Sequence, residues 1–278
     1  MTDFRRAAQF VRHLPGLDRA HWLWDAVRKP YHRALDLQSS GTKVLVGRVV
    51  EVRMPAEFTG GAWEKFEPEA VSKFAEWVQC HPGGLILDIG SSLGIYSALA
   101  LFSDDRVEVV AFDSDIASLA AVRRLCQYAT GERLRLVHGF IADTSNDVVC
   151  LAGAVTTTEA ALAQTDARRP TRYMCLGDPQ GSAVPRRRLD DLFVNDGIGG
   201  RAMLIKCDVE GAELLVLSGA EALLGRGHPS LLISVHPPAL PSYGHSKNQL
   251  EMYLQKIGYN ILCLAIDHEE HWWCDFKG

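Results

Sequence analysis

From residue 85 onward, apolar runs of strand length alternate with stretches in which apolar residues recur every three or four positions. Residues 85–89, 107–112, 134–137, 203–207, 231–235 and 260–266 read as strands, and 95–102, 116–128, 212–224 and 247–257 as helices. Strands taken in turn with helices predict parallel pairing through right-handed crossovers, which gathers ligands at the strands' carboxyl ends. The run Glu270-His271-Trp272-Trp273-Cys274 predicts a last, edge strand. Upstream, the β-branched stretch 42–53 with its central Gly47 predicts a hairpin or bulged strand, closed by Pro55. Residues 68–79 predict a helix with Val71, Phe74, Ala75 and Val78 on one face. Between 142 and 185 the periodicity fades. There 147–151 and 171–176 read as extra strands and 158–164 as a short helix.

A chain of 278 residues that is 47% hydrophobic can bury a large core, so one catalytic domain with an appendage is expected. The boundary falls at 61, with a helical and β-hairpin extension over 1–61 and the main domain over 62–278. Within the extension, residues 4–31 interleave Arg5, Arg6, Arg12, Arg19 and Arg28 with Phe10, Val11, Leu14, Leu23 and Trp24. Pro15-Gly16 splits this amphipathic stretch, whose expected place is against the core or a second copy of the chain. A net charge of -5 gives no electrostatic reason to expect nucleic acid, and Arg186-Arg187-Arg188 reads as a solvated turn before a helix. The seven cysteines, at 80, 126, 150, 175, 207, 263 and 274, show no C-x-x-C spacing and sit mostly in apolar runs, as small core residues do. Their odd number and the lack of a secretory segment predict a reducing, cytoplasmic setting, and no apolar stretch is long enough to span a bilayer.

Chemistry concentrates at the predicted strand ends. The first strand runs into Asp88-Ile89-Gly90-Ser91-Ser92-Leu93-Gly94, a glycine loop opening a helix. Its spelling, D-x-G-x-x-x-G, sets a carboxylate where G-x-G-x-x-G would welcome pyrophosphate, which favours S-adenosylmethionine over NAD. Asp113 ends the second strand 19 positions beyond Gly94, placed to accept ribose hydroxyls, while Asp115 suits a helix cap. After the third strand, Phe140, Ala142 and Asp143 offer an adenine wall with one polar group, although Phe140 reads equally as core. The cofactor set is therefore Asp88, Gly90, Ser91, Ser92, Gly94, Asp113, Ala142 and Asp143. The fourth strand delivers Lys206, Asp208 and Glu210, which alternation puts on one side, and Glu213 falls in the next helix's first turn, where the dipole explains it. The fifth ends at His236, a candidate general base or metal ligand, with His245 beyond it. Asp208, Glu210 and His236 form the catalytic set, and a divalent ion on Asp208 and His236 is its metal-dependent form.

These residues, with Leu189-Asp190-Asp191-Leu192 and the block from Ile205 through Ala220, resemble the FkbM-type S-adenosylmethionine-dependent methyltransferases. The resemblance runs from about 63 to 266, and the block from Lys206 to Glu213 is its specific part. It implies a Rossmann-like class I α/β sheet of seven strands, the last antiparallel, with helices on both faces. It also implies methyl transfer to a hydroxyl of a sugar, glycoconjugate or natural product. Asp113 and His236 stand where many members carry glutamate. An NAD(P)-dependent oxidoreductase and a non-catalytic nucleoside-binding module are the competing readings, both disfavoured by the residues at the strand ends. Acceptor choice falls to 1–61, 144–185 and 237–246, with Trp63, Tyr243, Trp272 and Trp273 as either sugar platforms or core.

Overall fold

The structure is a computed structural model that describes residues 41–145, 147–151, 182–193 and 200–278. A hairpin of β1 (Thr42–Val46) and β2 (Val50–Met54) comes first, then helix α1 (Pro68–Cys80). The alternating part follows as β3 (Leu85–Ile89), α2 (Ile95–Ser103), β4 (Glu108–Asp113), α3 (Ile116–Leu125) and β5 (Leu134–His138). A small sheet of β6 (Phe140–Ile141), β7 (Val148–Leu151) and β8 (Ser182–Arg187) intervenes before helix α4 (Leu189–Phe193). The chain resumes with β9 (Met203–Cys207), α5 (Glu213–Ser218), α6 (Glu221–Gly227), β10 (Ser230–Val235), α7 (Lys247–Lys256), β11 (Tyr259–Ile266) and β12 (Glu270–Phe276).

The main sheet has seven strands in the order β5-β4-β3-β9-β10-β12-β11. The first five pair parallel, and β12 runs antiparallel to both its neighbours. The order in which the chain adds strands reverses between β3 and β9, so the carboxyl ends of these two parallel strands flank the switch point where ligands bind in such sheets.

Strand residues alternate between two apolar layers. Ile86, Val109, Leu204, Leu232 and Trp273 pack with α1, α2 and α3. Leu87, Val110, Ile205, Ile233 and Trp272 pack with α4 to α7. Every residue of β3 and β9 is buried, as expected for parallel strands covered on both faces. The hairpin joins the first layer through Val46, Val52 and Met54. Asp115 caps α3, its side chain accepting the Ala117 N–H at 2.9 Å.

Several expectations are revised. Glu270 to Cys274 is not an edge: β12 lies between β10 and β11, and burial of His271, Trp272, Trp273 and Cys274 on both faces requires cover on each side. The edge is β11, which leaves Leu262, Cys263 and Ile266 exposed, so Cys263 is no core residue. Cys126, Cys207 and Cys274 are buried and Cys80 is exposed, all four free like Cys263. The helix expected over 212–224 is two, broken at Gly219-Ala220. A Cβ at Gly219 would stand 2.0 Å from the Ala142 carbonyl oxygen, so only glycine fits that approach. Arg186 and Arg187 lie in β8 rather than a solvated turn; Arg187 Nε donates to the His138 carbonyl at 3.0 Å. The expected strand at 147–151 is β7. The strand expected at 171–176, the short helix at 158–164 and the N-terminal segment 4–31 lie outside the described residues. No helix among the described residues is long and apolar enough to cross a membrane.

Candidate active site

At the switch point a glycine loop is held between two carboxylates. At the end of β3, Asp88 is fully buried, and its Oδ2 accepts the Ser97 N–H at 3.0 Å and the Ser97 hydroxyl at 2.6 Å, tying strand to helix α2. The loop needs left-handed backbone at Gly90, Ser92 and Gly94 (φ 73°, 48° and 84°). Gly90 is irreplaceable sterically, because a Cβ there would sit 1.7 Å from the Asp208 carbonyl oxygen. Asp113, at the end of β4, accepts the N–H groups of Ser92 and Asp115, each at 2.8 Å, which fastens the loop to the next strand. Burial pushes its carboxyl up to about 7, against the pull of those two donors. Asp88, Gly90, Ser91, Ser92, Gly94 and Asp113 thus share one edge. Asp88 Oδ1 and the Ser91 hydroxyl have no hydrogen-bond partner among the described residues. Ala142 does not join them: it is fully buried beneath Gly219 and its N–H serves the Arg187 carbonyl at 2.9 Å. Asp143 is exposed.

Beside the loop lies a network of carboxylates around two cations. Lys206 Nζ donates to Asp208 Oδ2 at 3.1 Å, lies 4.0 Å from Asp88 Oδ1 and sits over the Tyr96 ring at 5.2 Å. Burial pulls this ammonium down, and Asp208, Asp88 and Glu67 more than restore it, so it stays charged. Asp208 stands beside Lys206, as alternation predicts. Glu210 departs from that pattern, since its own left-handed backbone (φ 54°) turns it out of the strand line. It is half-buried, and its Oε2 has no partner among the described residues.

His236, just beyond β10, is held at both ring nitrogens. Nδ1 meets Glu213 Oε1 at 2.9 Å, and Nε2 meets Glu269 Oε2 at 2.6 Å with Asp208 Oδ1 at 3.7 Å. Burial works against its charge, but Glu213 and Glu269 prevail and raise it strongly. Glu213 is fully buried and also accepts the Gly211 N–H at 3.0 Å, so the helix dipole alone does not account for it. His245 belongs to neither cluster.

Sequence reasoning passed over Glu67, Tyr96, Glu269 and His271. Glu67 accepts the Tyr96 hydroxyl at 2.6 Å and lies 3.9 Å from His271 Nδ1, which is 3.6 Å from Glu269 Oε1. The run Asp267-His268-Glu269-Glu270-His271, an acid and histidine turn between two apolar strands, is the signal that pointed there. The proposed sugar platforms Trp272 and Trp273 are core, each 3% exposed. Phe140 is buried against Tyr243, ring centroids 6.3 Å apart, and Trp63 donates its indole N–H to the Phe58 carbonyl at 2.6 Å.

The model of the methyltransferase FkbM domain matches residues 88–261. The chain belongs to this family. The FkbM match opens on Asp88 and takes in Asp113, Asp208, Glu210, Glu213 and His236, while Glu67, Glu269 and His271 lie outside it. No curated protein matches the chain. Among solved structures, it is similar to the methyltransferase FkbM from Methylobacillus flagellatus KT, with 16% identity over 74% of this chain and 53% of that one, and a TM-score of 0.46. The chain therefore spans about half the length of that FkbM protein. Magnesium protoporphyrin IX methyltransferase from Synechocystis PCC 6803, solved with bound S-adenosylmethionine, shows 13% identity over 75% and 79% of the two chains, with a TM-score of 0.41. A methyltransferase from Geobacter sulfurreducens in complex with S-adenosylhomocysteine shows 14% identity over 70% and 65%, with a TM-score of 0.38.

Proposed function

We propose that this chain transfers the methyl group of S-adenosylmethionine to a hydroxyl oxygen of a sugar, glycoconjugate or natural product. The observation that carries the reading is the glycine loop pinned between Asp88 and Asp113 at the sheet's switch point, in a chain of the FkbM family. The residues suit the cofactor: the Ser91 hydroxyl makes no hydrogen bond among the described residues, and the surrounding carboxylates outnumber the cations, which favours a positively charged ligand. Asp113 accepts the ribose hydroxyls, Asp143 the adenine amino group, and Ser91, Ser92 and Gly94 line the loop. Asp88, sealed from solvent, acts indirectly by fixing loop to helix. When bound, the cofactor supplies an electrophilic methyl carbon whose bonding pair stays on sulfur.

Asp208 and His236 orient the acceptor hydroxyl in this reading. Glu210 takes its proton as the oxygen's electron pair becomes the new bond to carbon, then releases the proton to water. Glu210 is preferred as base because its Oε2 makes no hydrogen bond among the described residues, whereas Asp208 is engaged by Lys206 and both nitrogens of His236 face carboxylates. The extension over 1–61 helps choose the acceptor and offers a surface for a second copy. The free cysteines fit a reducing, cytoplasmic setting. Calorimetry with S-adenosylmethionine, followed by mass spectrometry of sugars and glycolipids incubated with methyl-labelled cofactor, tests the reading. Stoichiometric binding and a methyl ether product are expected; absence of binding by both the cofactor and its demethylated product overturns it.

A further inference from the structure

We propose that Asp208, His236 and Glu269 form a site for one divalent first-row cation, Mn2+ or Zn2+, beside the cofactor edge. Three separate elements supply it: the chain just past β9, the chain just past β10, and the turn between β11 and β12. Their ligand atoms all lie within 4.8 Å of one another, with His236 Nε2 at 3.7 Å from Asp208 Oδ1 and 2.6 Å from Glu269 Oε2. A cation bound at about 2.1 Å by each of three ligands holds neighbouring ligand atoms about 3 Å apart, so the side chains already stand near the required spacing. One imidazole and two carboxylates, with further positions open, suit these ions.

Two observations separate this cluster from an ordinary patch of acids. The first is the support behind His236: Glu213, fully buried and locked by the Gly211 N–H, takes Nδ1 at 2.9 Å. That bond fixes the ring so that Nε2 faces Asp208 and Glu269, the carboxylate–histidine arrangement that orients metal-ligating histidines. The second is Glu269 itself. It is 5% exposed; its Oε2 meets His236 Nε2 at 2.6 Å, while its Oε1, 3.6 Å from His271 Nδ1, makes no hydrogen bond among the described residues, so the carboxylate keeps acceptor capacity that the ring does not fill. The overlapping cluster of Glu67, Glu269 and His271 lacks such support, because Glu67 is spent on the Tyr96 hydroxyl at 2.6 Å.

The side chain of Asp208 is 26% exposed, so the cluster is open to the edge where the acceptor arrives. A cation there would acidify the acceptor hydroxyl that Glu210 deprotonates. This role rests on the methyl-transfer reading; occupancy of the site does not. The test therefore uses the full chain, stripped by chelator, titrated with Mn2+ alone and followed by calorimetry and electron paramagnetic resonance. One Mn2+ per chain is expected, with echo modulation from one imidazole nitrogen in the wild-type protein. Glu269→Gln and Asp208→Asn should each weaken binding at least tenfold. Glu269→Asp should retain it, and Glu67→Gln should change it less than twofold. Lack of stoichiometric binding, lack of the nitrogen signal, or equal affinity in wild type and Glu269→Gln would overturn the site. Loss in Glu67→Gln equal to that in Glu269→Gln would overturn it in favour of the neighbouring cluster. Because no cofactor or acceptor is present, failure of methyl transfer leaves these outcomes readable.

Discussion

Glu213 and His236 meet at 2.9 Å through Oε1 and Nδ1, which joins the first turn of α5 to the end of β10. Glu213 is fully buried, so the ring it holds is presented in one orientation rather than sampled. His236→Ala should keep the affinity for S-adenosylmethionine within about threefold, because His236 touches no donor residue, and should slow turnover by about 100-fold or more. Calorimetry and single-turnover kinetics on the same preparation check both. Equal turnover in variant and wild type would remove His236 from the site.

Gly90→Ala tests the loop. Its φ of 73° and a Cβ position 1.7 Å from backbone oxygen leave no local relief, since the obstacle is the Asp208 carbonyl rather than a movable side chain. The expected cost is about 3 kcal/mol or more in folding stability, read by urea unfolding, together with loss of cofactor binding. A variant that binds normally would show that the β3 and β9 loops do not meet as described.

Asp113 gives a pH signature. Its carboxyl, ordinarily near 3.8, is pushed by burial to about 7. The folded protein therefore binds this proton more tightly than the unfolded chain does. The stability it contributes is fully present below pH 3.8 and lost as the pH rises through 7. Binding runs the other way, because only the ionised carboxylate accepts from both ribose hydroxyls. Cofactor affinity should rise between pH 6 and 8 with a midpoint near 7, and Asp113→Asn should abolish that dependence. Calorimetry across this range checks it, and an identical slope in the variant would contradict it.

Trp273→Ala tests the interior placement of β12. A tryptophan 3% exposed within the first apolar layer should cost about 3 to 5 kcal/mol when truncated. An edge position would cost far less, so chemical denaturation distinguishes the two.

Alternating apolar runs made the sheet legible, because parallel strands covered on both faces read as continuous hydrophobic stretches, as β3 and β9 do. Strand order did not follow from the same signal. Trp272 and Trp273 suit any strand, and only the antiparallel pairing of β12 with both β10 and β11 shows which strand is the edge. Within the site, residues on the alternating strand ends were readable, because position in the pattern fixes position at the edge. Glu269 and Glu67 were not, since a turn and a left-handed residue before α1 carry no periodicity, and only the fold brings them to His236 and Tyr96. Glu213 sits in a first helical turn, where the dipole already accounts for an acid. Only the fold brings the His236 ring against it.

The central claim is that the loop from Asp88 to Gly94 holds S-adenosylmethionine with Asp113 on the ribose. Titrating the full chain with S-adenosylhomocysteine in a calorimeter tests it most directly. One molecule should bind per chain, and Asp113→Asn should weaken binding at least tenfold while the protein remains folded. No measurable heat, or the same affinity in the variant, would contradict the account.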